Sequence, residues 1–145
     1  MSVANGTIIT VEYLDNDSGV MISTTAVATL VDPFGVVFDS TTGSRIDGAK
    51  VTLMDMSTGV PVPATVYGDD GISIYPSTLT SGGSATDSGG TVYNFLPGGY
   101  RFPLINIGNY RIDVVPPTGF RAPSAKSTSS IQLLPYAPYA ILEDG

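Results

Sequence analysis

Short strand-like stretches separated by glycine and proline turns make up most of this 145-residue chain. Glycine (17) and proline (11) recur so often that they interrupt any long helical stretch. Charged residues are 13% of the chain, and lysine and glutamate, which support surface helices, are scarce. This composition favours strands and turns, and it predicts an all-β fold without a helix.

Alternating apolar residues predict about seven to nine short strands joined by frequent turns, typical of a sandwich or small barrel. In the strand from Lys50 to Met54, Val51 and Leu53 share one face. The segment from Ser127 to Leu134 also alternates, and it is predicted as a final strand with Ile131 and Leu133 inward. The other predicted strands are Thr7–Tyr13, Val20–Leu30, Val36–Phe38, Ala64–Tyr67, Val92–Phe95, Arg101–Ile105 and Asn109–Val115.

Three regions follow from the turn signals. Residues 1–31 read as a β-hairpin, either the end of a preceding repeat or an added sheet edge. Asp32-Pro33 ends this hairpin, because the residue before proline is biased toward extended backbone. Residues 32–135 form the main module, and residues 136–145 are a linker to a following domain.

Three motifs follow one another inside the module. The first is D-x-x-T-G-x-x-x-x-G-A-x-V-x-L, carried by Asp39, Thr42, Gly43, Gly48, Ala49, Val51 and Leu53. The second is T-D-x-x-G-x-Y-x-F with one extra residue before the tyrosine, carried by Thr86, Asp87, Gly90, Tyr93 and Phe95. The third is G-x-Y-x-[IV]-x-V-x-P-x-G-[FY], carried by Gly108, Tyr110, Ile112, Val114, Pro116 or Pro117, Gly119 and Phe120.

This order of motifs resembles the prealbumin-like modules called carboxypeptidase regulatory-like domains, and it is similar to the B-type repeats of bacterial surface adhesins. The resemblance covers residues 35–123 and implies an immunoglobulin-like (prealbumin-like) antiparallel β-sandwich. An insertion at residues 67–84 departs from the pattern. Residues 68–90 read as a long loop with a short pairing inside, and ordered loops of that length are usually functional.

Charge and composition exclude several functions. A net charge of −7 with no basic stripe opposes nucleic-acid binding. The absence of histidine and cysteine removes disulfides, thiol chemistry and triads that need histidine. No apolar run reaches the length of a membrane span, which is roughly 20 residues. We therefore expect a protein that is not an enzyme, with no nucleic-acid partner and no membrane insertion by this segment.

Aspartates in turns give the strongest chemical signal. Calcium prefers hard oxygen ligands, and clustered aspartates can supply them. The B-type repeats that the chain resembles often bind calcium through such loops. The candidate ligands are Asp15, Asn16, Asp17, Asp69, Asp70 and Asp87. The competing interpretation is that these side chains cap their own turns.

Other side chains have structural explanations beside functional ones. An isopeptide bond would require a buried Lys50, but the place of this residue in the strand predicts that its side chain is exposed. Tyr93, Phe95 and Tyr110 are expected in the core, whereas Tyr100 and Phe120 follow turns and could stack against a sugar. Three arginines at ten-residue spacing form either a weak positive row or solvated strand faces; they are Arg101, Arg111 and Arg121.

The leading functional hypothesis is a non-catalytic structural repeat module, a spacer or adhesin stalk domain, of a large bacterial surface or secreted protein. The N-terminus lacks a signal peptide, so the chain is expected to be an internal piece of an extracellular or cell-surface protein, with neighbouring repeats as partners. The alternative is a module that binds a glycan or a host or cell-surface protein through residues 67–90. An enzyme, for instance a glycosidase using Asp69 and Asp70, is a remote alternative, since adjacent residues of a strand face opposite ways.

Overall fold

The computed structural model describes residues 7–14, 21–28 and 33–134. Thirteen strands and one short helix lie in these ranges, so the all-β prediction is confirmed, whereas the predicted number of strands was too low. The strands are β1 (Thr7–Leu14), β2 (Met21–Ala28), β3 (Phe34–Val36), β4 (Lys50–Asp55), β5 (Val62–Pro63), β6 (Val66–Tyr67), β7 (Ile74–Tyr75), β8 (Thr78–Thr80), β9 (Ser84–Thr86), β10 (Val92–Asn94), β11 (Gly99–Arg101), β12 (Leu104–Ile105) and β13 (Asn109–Val115). The helix is α1 (Thr128–Gln132).

The largest sheet has six strands in the order β2-β1-β13-β4-β5, with β8 also paired to β4. Its centre is the antiparallel ladder between β4 and β13, which runs from Tyr110 opposite Asp55 to Val115 opposite Lys50. β5 and β8 share the other edge of β4 and pair with different ends of it. The pairing of β1 with β13 is parallel, and the other pairings are antiparallel.

Three smaller sheets complete the described fold. β6 lies between β12 and β7 in a three-stranded sheet, and two-stranded sheets join β9 to β10 and β3 to β11. The Phe95 N–H donates to Gly83 O at 2.9 Å and extends the β9–β10 pairing. The Gly82 N–H, just before β9, donates to Gly99 O of β11 at 2.9 Å and links two of these sheets.

One core is shared by the main sheet and the three-stranded sheet. Val51 and Leu53 of β4 are buried in it, as their alternation predicts. Val66 and Tyr75 enter it from the three-stranded sheet, and Phe102, between β11 and β12, is fully buried. Apolar side chains from two different sheets thus cover each other from water, the main source of stability in such a fold.

The segment at residues 68–90 is not a long loop. It contains β7, β8 and β9, each paired with a different strand elsewhere in the module. Tyr75, Leu79 and Ala85 from this segment are buried in the core. Each paired stretch is only two or three residues long, too short to show a clear alternation in the sequence.

The predicted C-terminal strand at Ser127–Leu134 is wrong, and so is the prediction that the chain has no helix. Residues Thr128–Gln132 form α1, whose N-cap is Ser127: its side chain accepts the N–H of Ser130. Leu133 is 83% exposed rather than inward. Serine is a favourable N-cap because its hydroxyl satisfies a free N–H of the first helical turn.

β1 and β2 pair with each other antiparallel, and β1 adds to the main sheet beside β13. Residues 135–145, predicted as the end of the module and a linker, lie outside the described residues, and the domain boundaries stay a prediction. No helix in the described part of the chain is long and apolar enough to cross a membrane.

Candidate functional site

Asp87 is the one charged residue among the buried residues that the structure describes, and polar groups surround it. It follows β9 and begins the turn that leads to β10. Its Oδ1 accepts the N–H groups of Gly89 and Thr91, both at 2.9 Å, and its Oδ2 accepts the hydroxyl of Tyr93 at 3.1 Å. The residue is only 5% exposed. Hydrogen-bond donors placed in this way offset the cost of burying a carboxylate, so Asp87 stabilises its own turn.

Tyr93 connects this turn to a second one at residues 68–73. Its hydroxyl donates to Asp87 and also accepts the N–H of Asp69 at 2.9 Å. A Cβ on Gly68 would come within 2.5 Å of Asp87 Oδ2 and 2.8 Å of the Tyr93 oxygen. Position 68 therefore needs glycine, because the backbone of one turn rests directly on the polar atoms of the other.

Tyr75 packs under Tyr93 in a T-shaped contact, with ring centroids 4.9 Å apart and planes at 87°. Its hydroxyl donates to the carbonyl of Arg101 at 3.1 Å. Burial is the main reason that the pKa of this phenol lies above its ordinary value, so the group stays protonated and keeps this bond.

Asp69 and Asp70 follow Gly68 and do different work. Both carboxylate oxygens of Asp69 face the Arg101 guanidinium, Oδ1 at 2.7 Å from one nitrogen and Oδ2 at 3.1 Å from another. Asp70 instead accepts the N–H groups of Ile72 and Ser73 and the Ser73 hydroxyl, at 2.9, 2.8 and 2.6 Å. These bonds, the Ser73 hydroxyl first, lower the pKa of Asp70. The two carboxylates are committed to separate partners, a poor arrangement for a glycosidase pair.

The calcium prediction has two parts. Asp15, Asn16 and Asp17 lie outside the described residues. Asp69, Asp70 and Asp87 accept hydrogen bonds within or between the two turns, and no group of three or more acidic, histidine or cysteine side chains placed to hold a metal occurs among the residues described. Calcium binding stays a prediction, and turn capping accounts for the bonds that Asp70 and Asp87 accept from backbone N–H groups.

The remaining predicted side chains separate into core and surface positions. Tyr110 is buried, and Tyr93, Phe95 and Tyr100 pack partly buried against the core. Phe120 is 44% exposed. Lys50 is exposed, as predicted from its place in β4. Two of the three arginines form ion pairs. Arg101 pairs with Asp69, and Arg111 pairs with Asp113 on its own strand.

Two structural side chains were missed by sequence reasoning. Ser81 is buried, and its hydroxyl donates to Ile46 O at 2.7 Å and accepts the Ala49 N–H at 3.0 Å. Asp47 accepts the N–H of Gly98 at 2.6 Å across 51 positions of sequence. The Asp-Gly and Ser-Gly pairs at 47–48 and 81–82 signal turns, but no local pattern reveals which distant backbone they hold.

An apolar row crosses the outer face of the three-stranded sheet. Leu104, Tyr67 and Ile74 are cross-strand neighbours, while the opposite face carries Ile105, Val66 and Tyr75 into the core. Ile74 is 54% exposed, and Ile72 just before β7 is 81% exposed. The backbone of Ile74 is bonded to Ser88, whose N–H donates to Ile74 O at 2.8 Å and whose Oγ accepts Ile74 N–H at 2.8 Å.

No protein-family model matches the chain, and neither do any curated proteins or any solved structures.

Proposed function

We propose that the module is a prealbumin-like (immunoglobulin-like) β-sandwich that serves as a non-catalytic spacer or stalk domain in a larger bacterial surface or secreted protein. The observation that carries this proposal is how aspartates are used. Asp39, Asp55, Asp70 and Asp87 each accept the backbone N–H of the residue two positions ahead in their own turn. The carboxylates thereby stiffen the connections between strands, which suits a load-bearing spacer.

Support for the sandwich comes from the shared core. β4 of the main sheet and β6 of the three-stranded sheet both direct alternate residues, Val51, Leu53 and Val66, into one cluster. Two sheets that cover one core are what a sandwich requires. The long β4–β13 ladder would carry tension through several backbone hydrogen bonds at once.

Force spectroscopy tests the spacer function. The full chain is placed between reference domains and stretched with an atomic force microscope. Residues 34–115 are expected to unfold in one cooperative event that releases roughly 25–30 nm of chain, from about 3.3–3.6 Å per residue. Gradual extension without a force peak would contradict a load-bearing role. Turnover by the purified protein in a hydrolase and transferase panel would contradict the non-catalytic part.

A binding module is the second candidate, and the outer apolar row favours it. Ile72 and Ile74, both inside the predicted contact segment at 67–90, remain largely exposed beside Tyr67. Glycan arrays and pull-downs with surface proteins would compare the natural chain with Ile72→Ser and Ile74→Thr variants. Leu133→Ser, which removes a leucine about as exposed as Ile72 just after α1, is the matched control. Binding that both isoleucine variants reduce and the control retains would support this candidate.

A further inference from the structure

The N-terminal hairpin of β1 and β2 joins the rest of the main sheet through the pairing of β1 with β13. This ladder is the shortest of the three along the path β2-β1-β13-β4. β1 and β2 pair over eight positions, from Thr7 opposite Ala28 to Leu14 opposite Met21. β4 and β13 pair over six positions. β1 and β13, in contrast, pair at only two positions, Ile8 with Asn109 and Ile9 with Tyr110.

The kind of pairing also sets this joint apart. It is parallel, and parallel pairs are slightly less stable per residue than antiparallel ones. A two-stranded hairpin on its own is marginally stable in water, so β1 and β2 gain from docking on a third strand. The hairpin thus has a long internal ladder between β1 and β2. It gains stability from docking on a further strand, yet only a short ladder attaches it to β13.

The connection to the module is short. Four residues separate the end of β2 at Ala28 from Pro33, and the last of them is Asp32. Short connections between an element and the rest of its chain promote exchange of that element between identical chains.

From these three features we propose that the β1–β2 hairpin is exchanged between two copies of this chain, each hairpin docking on the β13 edge of the other copy. Exchange keeps the pairing of Ile8 with Asn109 and places it between two chains, so the docking edge itself needs no new contact. Reciprocal exchange closes a two-fold dimer. In this dimer the hairpin of each chain covers the β13 edge of the other chain. The inference uses the strand pairing alone and is independent of the spacer function.

The natural absence of cysteine allows a direct test by disulfide trapping. Two single variants, Ile8→Cys and Asn109→Cys, are refolded together at high protein concentration and oxidised. Exchange puts one cysteine of each chain at directly paired positions, within reach of a disulfide. The expected product is a covalent heterodimer, several-fold more abundant than that from Ile8→Cys refolded with Ser84→Cys, an exposed site on β9.

A double variant carrying both Ile8→Cys and Asn109→Cys completes the test. With exchange, its cross-linked dimer grows relative to its cross-linked monomer as the concentration during refolding rises. A double variant that yields only cross-linked monomer at every concentration would overturn the proposal, because the hairpin would then stay on its own chain. The absence of any disulfide, or a heterodimer no more abundant than the control, would overturn it equally.

Discussion

Single aspartates decide how several turns of this chain are built. Asp70 and Asp87 accept N–H groups from residues two to four positions ahead, and Asp39 and Asp55 do the same in other turns. An aspartate in a turn bonds the backbone about two residues further on, so aspartates in turn-rich stretches signal such turns in the sequence. What differs between them is burial, since Asp87 is buried and Asp39 is only partly buried.

Burial predicts that Asp87 contributes far more to stability than its neighbour in the cluster. Asp87→Ala leaves two N–H groups and the Tyr93 hydroxyl without their acceptor, and we expect a loss of about 2–3 kcal/mol, as for bonds to buried charged groups. Asp69→Ala removes a partly exposed ion pair, with an expected loss of about 0–1 kcal/mol. Urea unfolding of both variants gives the comparison. Equal losses would show that Asp87 is not the centre of the cluster.

At the scale of elements, long strands were easier to predict than short ones. β4 and β13 have six and seven residues, enough for alternation and flanking turns to be recognised. β7, β8 and β9 have two or three residues each, so the local sequence resembles a loop. Their strand character comes from partners that lie far away in the chain, such as β4 for β8.

The segment at 67–90 can be tested as part of the core. Leu79 of β8 is buried opposite Val51, so Leu79→Ala should lower the free energy of unfolding by about 2–4 kcal/mol through lost burial and a cavity. Ile72→Ala, at an exposed position in the same segment, should change it by about 0.5 kcal/mol or less. Chemical denaturation measures both. A small effect of Leu79→Ala would mean that the segment behaves as a loop after all.

For the whole molecule, acid should weaken the fold. Hydrogen bonds lower the pKa of Asp39, Asp55 and Asp70 below the ordinary 3.8, chiefly from the Thr41 N–H, the Ser57 side chain and the Ser73 side chain respectively. A lowered folded-state pKa adds stability that is present above the unfolded pKa and lost as pH falls through the folded one. We expect a constant melting temperature from pH 7 to 5 and a decrease below 3.8.

The matched variant for this prediction replaces all three aspartates by asparagine, which keeps a capping oxygen but cannot titrate. Its melting temperature should decrease less between pH 4 and pH 2 than that of the natural chain. Because none of these three residues is buried, the difference should also shrink in high salt. An identical acid response in both proteins would assign the effect to other groups.

Calcium is tested on the intact chain by calorimetry, first with calcium and then with a chelator. A ligand that binds only the folded form raises the melting temperature by mass action. We expect a rise if Asp15, Asn16 and Asp17 form a site, and this rise should persist in Asp69→Ala. A rise lost in Asp87→Ala would place the metal in the described cluster. An unchanged melting temperature would leave turn capping as the role of Asp70 and Asp87.

The sequence by itself determined the class of the fold and the main strands. Frequent glycine and proline exclude long helices, and alternation places Val51 and Leu53 in the core, because these are local effects of backbone and burial. The sequence also indicated that aspartates cap turns. It did not indicate α1, since serines that cap a helix also suit a turn.

Only the tertiary structure decided what each short segment does. The pairing of β8 with β4, the contact of Asp47 with Gly98 and the placement of Ser81 join residues tens of positions apart. The same holds for Gly68, whose missing side chain makes room for Asp87 and Tyr93. Such contacts depend on distant partners arriving together in the folded chain, and no local pattern of residue types specifies them.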